Sequence, residues 1–278
     1  MNTPSVRDCL VASLPAGAIA ARYDKSNHVR PIVVLMTPRS GSSWLADVMA
    51  KTGRLGAPEE YASYFFLPQA NAKLCAAEEI EYLNGLLSRR GTPNGIFSMN
   101  IAWGDIERFS TIDFFEYFSG ASFVYLRRRS LLNQAISLML AVNTGVFHLR
   151  DGRAVGSDHY SKVKARGLSR APSDAGVQTD VMKWAAHIVN YECQLELQLA
   201  IRGIKPLRIY YEDLPETMQR VIRNIAATAG VRVDDVTTTA SSLSRTRTAL
   251  NEEIREAFMP ARPEFGVVMG ALRPPLFD

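Results

Sequence analysis

The chain has 278 residues, 47% of them hydrophobic and 22% charged, a balance that fits a globular protein of one large or two smaller domains. Its 32 Lys and Arg against 28 Asp and Glu give a net charge of +4, too mild and too scattered for a nucleic-acid binder but suited to a small anionic ligand. No apolar run reaches the roughly twenty residues of a bilayer span. Three scattered cysteines, Cys9, Cys75 and Cys193, argue against a disulfide framework or a Cys/His zinc site and for a reducing compartment, the cytoplasm.

Residues 1–29 read as an N-terminal arm ahead of a single α/β domain spanning 30–278. The stretch from Cys9 to Ala21 faintly resembles a signal peptide, but Asp8 precedes it and Pro15 interrupts it, so secretion is the lesser alternative. Ile32 to Met36 is an apolar run of strand length. A loop of hydroxyls with one Gly and one Arg follows, and then Trp44, Leu45, Val48 and Met49 recur at helical spacing, with Gly53 placed for a left-handed C-terminal cap. First-turn amides of such a helix lack intrahelical acceptors and carry the positive end of its dipole, so they bind phosphate or sulfate without a metal. Arg39 adds a planar fork of donors. An ordinary turn whose Ser and Thr merely cap the helix is the competing reading. A Walker-type loop is disfavoured, because no Gly precedes Thr37 and the loop has no Lys.

Beyond Gly56-Ala-Pro-Glu-Glu-Tyr61 and an irregular aromatic stretch, Tyr64-Phe65-Phe66, a helix is expected from Ala76 to Arg89 with Ile80, Leu83, Leu86 and Leu87 on one face. Thr92-Pro-Asn-Gly95 turns the chain into a second strand, Ile96 to Met99, and Ser122 to Leu126 forms another. That strand ends in Arg127, Arg128 and Arg129, the densest basic cluster, before a helix capped by Ser130. Residues 148–178 lose all pattern and read as a long loop. Asp180 to Ile201 is helical with Met182, Ala185, Val189 and Leu195 inside, Leu207 to Tyr211 is a strand, and Glu212-Asp-Leu-Pro215 opens a helix that runs to Gly230. This alternation predicts a mostly parallel central sheet with helices on both faces, a three-layer, P-loop-like α/β architecture. In such sheets ligands gather at the carboxyl ends of the strands, where the hydroxyl loop, the arginines and Glu212-Asp213 all fall.

Three elements resemble, in order and chemistry, the bacterial trehalose-type sulfotransferases, relatives of the wider group that uses 3′-phosphoadenosine 5′-phosphosulfate. Thr37, Pro38, Arg39, Ser40, Gly41, Ser42, Ser43 and Trp44 resemble that group's 5′-phosphosulfate loop. Arg129 and Ser137, across a strand-to-helix junction, resemble its 3′-phosphate site, since eight helical residues advance only about 12 Å and an Arg side chain can reach across that gap. Gly56-x-Pro-x-Glu60 resembles the segment that places a catalytic Glu near the transferable sulfuryl group. Similarity is good over roughly the first 145 residues and weak afterwards. A Lys expected in the second strand region is replaced by Asn100, and Arg245 and Arg247 resemble C-terminal contacts to the nucleotide only loosely.

The resemblance implies metal-free sulfuryl transfer from that donor, with adenosine 3′,5′-bisphosphate as the product, to a hydroxyl of a carbohydrate or glycolipid acceptor. Arg39 then stabilises charge at the leaving 5′-phosphate and Glu60 accepts the acceptor's proton. Neighbouring Glu59 and the more distant His148 are the alternative bases, and Tyr61, Tyr64, Phe65, Phe66 and Trp103 are either an acceptor platform or core. Two other classes stay open: a kinase or NTPase using Tyr211-Glu-Asp213 for magnesium, and a noncatalytic nucleotide binder. The resemblance is compatible with a homodimer and implies no nucleic-acid partner.

Overall fold

The structure is a computed structural model that describes residues 3–26, 28–150, 153–155, 170–232, 234, 240, 241, 243, 244 and 248–265. Four strands, β1 (Arg30–Met36), β2 (Ile96–Ala102), β3 (Ser122–Arg127) and, after two short ones, β6 (Leu207–Tyr210), form one parallel sheet in the order β2-β1-β3-β6. Their registers align Met36 with Ala102 and Leu126, so all carboxyl ends open on one edge. The short strands β4 (His148–Arg150), β5 (Arg153–Val155) and β7 (Leu243–Ser244) make a separate antiparallel sheet.

Period-two alternation sends successive strand residues into different layers. Val33, Leu35, Phe123 and Tyr125 enter one core with α1 (Val6–Ala12), α3 (Phe66–Leu74), α4 (Glu79–Arg90) and the short α5 (Trp103–Ile106) and α6 (Phe114–Tyr117). Ile32, Val34, Val124 and Leu126 enter the other with α2 (Ser42–Lys51) and α9 (Leu214–Thr228). A third cluster joins α7 (Leu131–Thr144), α8 (Ala175–Ile201) and α10 (Ala249–Ala261). The expected three-layer α/β architecture is what the chain adopts.

Several local expectations need correcting. The stretch read as an N-terminal arm begins with a capped helix: Ser5 and Asp8 form a reciprocal capping box, and Val6 and Leu10 are fully buried against α3 and α4. The irregular aromatic stretch runs directly into α3. In α4, Ile80 is exposed while Glu79 is buried, because Glu79 accepts hydrogen bonds from the amides and hydroxyls of both Ser110 and Thr111. In α8 the buried face is shifted by one residue at Val181 and Ile188, leaving Met182 exposed.

Candidate active site

The loop after β1 is shaped by two left-handed residues. Gly41, with φ 93°, is the N-cap of α2, and a side chain there would overlap the ring of Tyr211. Arg39, with φ 65°, has no such freedom, and a non-glycine residue held in that region costs about 1–3 kcal/mol, a strain that clusters at functional loops. The rest of the loop is clamped: Gln134 of α7 donates to Thr37 Oγ1 and to the Pro38 carbonyl, both at 2.8 Å. Ser40 is buried, and its hydroxyl has no hydrogen-bond partner. That hydroxyl is sealed from solvent, so the groups this loop offers an anion are the first amides of α2, which fit one.

This loop forms one wall of a cavity of about 1250 Å³ at the carboxyl edge of the sheet. Arg39 reaches across it, donating through Nε to Ser137 Oγ at 3.0 Å and through Nη1 to the Phe147 carbonyl. Arg128 also lines the cavity; it lies over the Tyr211 ring at 4.6 Å and donates to the Arg39 carbonyl at 3.3 Å. Burial, and then the charge of Arg128, pull the Arg39 guanidinium down to about 10, which still leaves it cationic at neutral pH.

Facing Arg39 is a pair of carboxylates. Glu60 lines the cavity and is otherwise surrounded by protein; burial, followed by repulsion from Asp105 and Glu59, pushes it up to about 7, against the pull of Arg39. Asp105, one turn into the chain after β2, lines the same cavity and is pushed up to about 6 by burial, against the pull of Arg108. Glu59 is exposed and does not line the cavity; its backbone pairs with β2 through the Asn100 amide. Across the cavity, Trp184, His187 and Tyr191 of α8 form a stripe in which His187 and Tyr191 lie 4.2 Å apart between ring centroids. Tyr64, Phe65 and Phe66 line it as well, whereas Tyr61 is buried in the core, stacked on Phe97. Trp103 packs against that core.

Of the residues expected at the site, Pro38, Arg39, Gly41, Ser42, Ser43, Trp44, Glu60 and Ser137 line this one cavity, with Thr37 and Ser40 in the same loop. Arg129 is not brought to Ser137. Both its terminal nitrogens bind the Asp213 carboxylate, at 2.5 and 2.8 Å, and its backbone amide binds Glu212. Ser137 is engaged by Arg39 instead, so the cation of this triplet that reaches the cavity is Arg128. The same contacts occupy Glu212 and Asp213, the carboxylates that a magnesium-dependent enzyme would have needed. Asn100 is buried within β2 and does not line the cavity. Arg245, Arg247 and the His148 side chain lie outside the described residues.

Four contributions escaped the sequence. Arg128 was not told apart from its two neighbours in the basic cluster, and Gln134 drew no reading at all. Asp105 carries no signal beyond its place just after a strand. The aromatic stripe of α8 is visible in hindsight as Trp184, His187 and Tyr191 at i, i+3 and i+7.

Residues 31–258 match the model of the Stf0 sulphotransferase family. Among curated proteins none matches the chain. Solved structures that resemble it include two sulfotransferases. A sulfotransferase from Alicyclobacillus acidocaldarius is 18% identical over 88% of this chain and 99% of its own, with a TM-score of 0.45. The sulfotransferase domain of the Synechococcus PCC 7002 olefin synthase is 14% identical over 88% and 98%, with a TM-score of 0.39.

Proposed function

The chain belongs to the Stf0 sulphotransferase family, and from that premise we propose that it transfers the sulfuryl group of 3′-phosphoadenosine 5′-phosphosulfate to a hydroxyl of a carbohydrate or glycolipid. The observation that carries this reading is the single cavity in which an anion-binding helix start, Arg39 and the half-neutral carboxylate Glu60 meet. The donor suits the residues present: amides at the start of α2 with the cavity-lining Ser42 and Ser43 for the 5′-phosphosulfate, and Arg128 and Ser137 for the 3′-phosphate.

Glu60 takes the acceptor's proton as the hydroxyl oxygen bonds to sulfur. The bond between sulfur and the 5′-phosphate oxygen breaks, and the negative charge left on that oxygen is met by Arg39 and the loop amides. Because such transfer needs little covalent help, position and charge stabilisation supply most of the acceleration. Tyr64, Phe65, Phe66 and the α8 stripe offer flat faces on which a sugar ring can stack.

Incubation with sulfur-labelled donor and a panel of sugars, glycolipids and phenols tests the reading. Label on a sugar or glycolipid is expected, with no dependence on added metal. Nucleotide binding without transfer to any member would overturn it in favour of a noncatalytic binder, and turnover of ATP abolished by chelator would favour a kinase or NTPase.

A further inference from the structure

Proton abstraction needs one carboxylate, and the cavity wall carries four: Glu107 is exposed and Glu212 accepts from the Arg129 and Ser130 amides, which leaves Asp105 beside Glu60. Asp105 is delivered to the edge by β2, directly after which Gly104 admits the hydroxyl of Tyr191: a side chain at position 104 would overlap it. One guanidinium holds both acidic segments. Arg108 Nη1 donates to Asp105 Oδ1 at 3.3 Å and to the carbonyl of Ala62, two residues past Glu60, at 3.1 Å. Arg108 is itself buried, and its remaining nitrogens bind the Pro4 carbonyl and Cys9 Sγ. The spacing of Glu60 and Asp105 is thus fixed by a braced side chain, close enough for their charges to repel.

Neither carboxylate is satisfied within the protein. Among the described residues the Glu60 carboxylate accepts no hydrogen bond and the Asp105 carboxylate accepts one, from Arg108 to Oδ1, which leaves Oδ2 without a protein donor there. A carboxylate only accepts, so in a desolvated site each asks for a donor on the ligand. Resting on the sulfuryl-transfer reading, we propose that Asp105 is a specificity-determining residue that binds a second hydroxyl of the acceptor, neighbouring the one that Glu60 deprotonates, so that the enzyme selects vicinal diols over simple alcohols. A lone alcohol leaves the partly buried Asp105 with Arg108 as its one donor, and a site built to hydrogen-bond a substrate hydroxyl discriminates against analogues that lack it. The Tyr191 hydroxyl, beside Asp105, is placed to complete the binding of that second group.

The test compares cis- and trans-cyclohexane-1,2-diol with cyclohexanol, using 3′-phosphoadenosine 5′-phosphosulfate as donor. In the wild-type enzyme kcat/KM for the better diol is expected to exceed that for cyclohexanol by about tenfold or more beyond the statistical factor of about two. In Asp105→Asn, which keeps the shape and an oxygen for Arg108, the ratio should collapse toward that statistical factor while affinity for adenosine 3′,5′-bisphosphate is unchanged. Equal wild-type efficiencies, after the statistical correction, overturn the proposal without any variant, so the test survives a misfolded Asp105→Asn. A preserved ratio in a folded variant also overturns it, because a merely structural Asp105 would lower both acceptors alike. Absence of transfer to every alcohol, sugar and phenol, with nucleotide bound, overturns the sulfuryl-transfer reading beneath it.

Discussion

Glu60 and Glu59 are adjacent in sequence and opposite in circumstance, and the difference is one of solvent. Glu60 faces a cavity whose walls strip away water and set Asp105 beside it, whereas Glu59 stays exposed with its backbone tied to β2. A carboxyl raised from its ordinary 4.5 to about 7 is protonated below neutrality and cannot accept a proton there. The pH profile of kcat/KM should therefore rise toward about pH 7 and level off above it. Glu60→Gln should lower turnover about a hundredfold, abolish that limb and leave nucleotide affinity intact, while Glu59→Gln changes little. The linkage has a matching sign in stability. Because the folded state holds the Glu60 proton more tightly than the unfolded chain, the group's contribution is present below about 4.5 and is lost as pH rises through about 7. Thermal unfolding should show Glu60→Gln gaining on the wild type as pH goes from 5 to 8. A limb that persists in Glu60→Gln, or activity lost in Glu59→Gln instead, would place the base elsewhere.

At the scale of elements, what the sequence disclosed depended on whether a local pattern coincided with its tertiary setting. β1 and β3 are apolar runs buried on both faces, so composition marks them to within a residue or two, and the edge strand β6, with only Ile209 buried, is marked by its short run between a turn and Glu212-Asp213. β2 reads short because Ser98 and Asn100 interrupt its apolar run, though both are buried within the sheet. The helix starting at Val6 was missed because its burial depends on α3 and α4, more than fifty residues later. The hydroxyl loop lies on the cavity wall, as its local chemistry suggested; which arginine faces the cavity was not legible, because three consecutive arginines at the β3–α7 junction share one composition and three fates. Arg127 pairs with Glu192 and Glu196 of α8, Arg128 turns to the cavity and Arg129 to Asp213. Calorimetry with adenosine 3′,5′-bisphosphate should separate them. Arg128→Ala is expected to cost about 1.5–3 kcal/mol, the range for hydrogen bonds to charged groups. Arg129→Ala, which breaks a half-exposed pair, should cost less than about 1 kcal/mol. Adenosine 5′-phosphate serves as the control: if Arg128 holds the 3′-phosphate its loss should barely affect that ligand. Equal loss would mean that it acts by bracing the loop through the Arg39 carbonyl, and a larger loss in Arg129→Ala would return the 3′-phosphate to Arg129.

Across the whole molecule, the cavity is where separately stabilised layers meet. Its walls come from the loop between β1 and α2, from α7 and α8 of the third cluster, and from Tyr211 and Glu212 after β6, so a ligand spanning it ties together chain segments nearly two hundred residues apart. The proposed nucleotide contacts are amides, hydroxyls and guanidinium groups, and none of these needs a divalent ion to receive a phosphate. Binding to the folded state alone stabilises it by about 2.7 kcal/mol when free ligand is a hundredfold above Kd. For a chain of this size that should raise Tm by about 5 °C. The rise should be the same in chelator as in magnesium, should grow with the logarithm of ligand concentration, and should shrink in Arg128→Ala by the amount that its lost affinity dictates at fixed ligand concentration. A shift that appears only when magnesium is restored would show that the bound species is a metal–nucleotide complex. The loop would then bind phosphate as an NTPase does despite lacking a Lys, and both the metal-free donor site and the sulfuryl-transfer mechanism built on it would have to be abandoned.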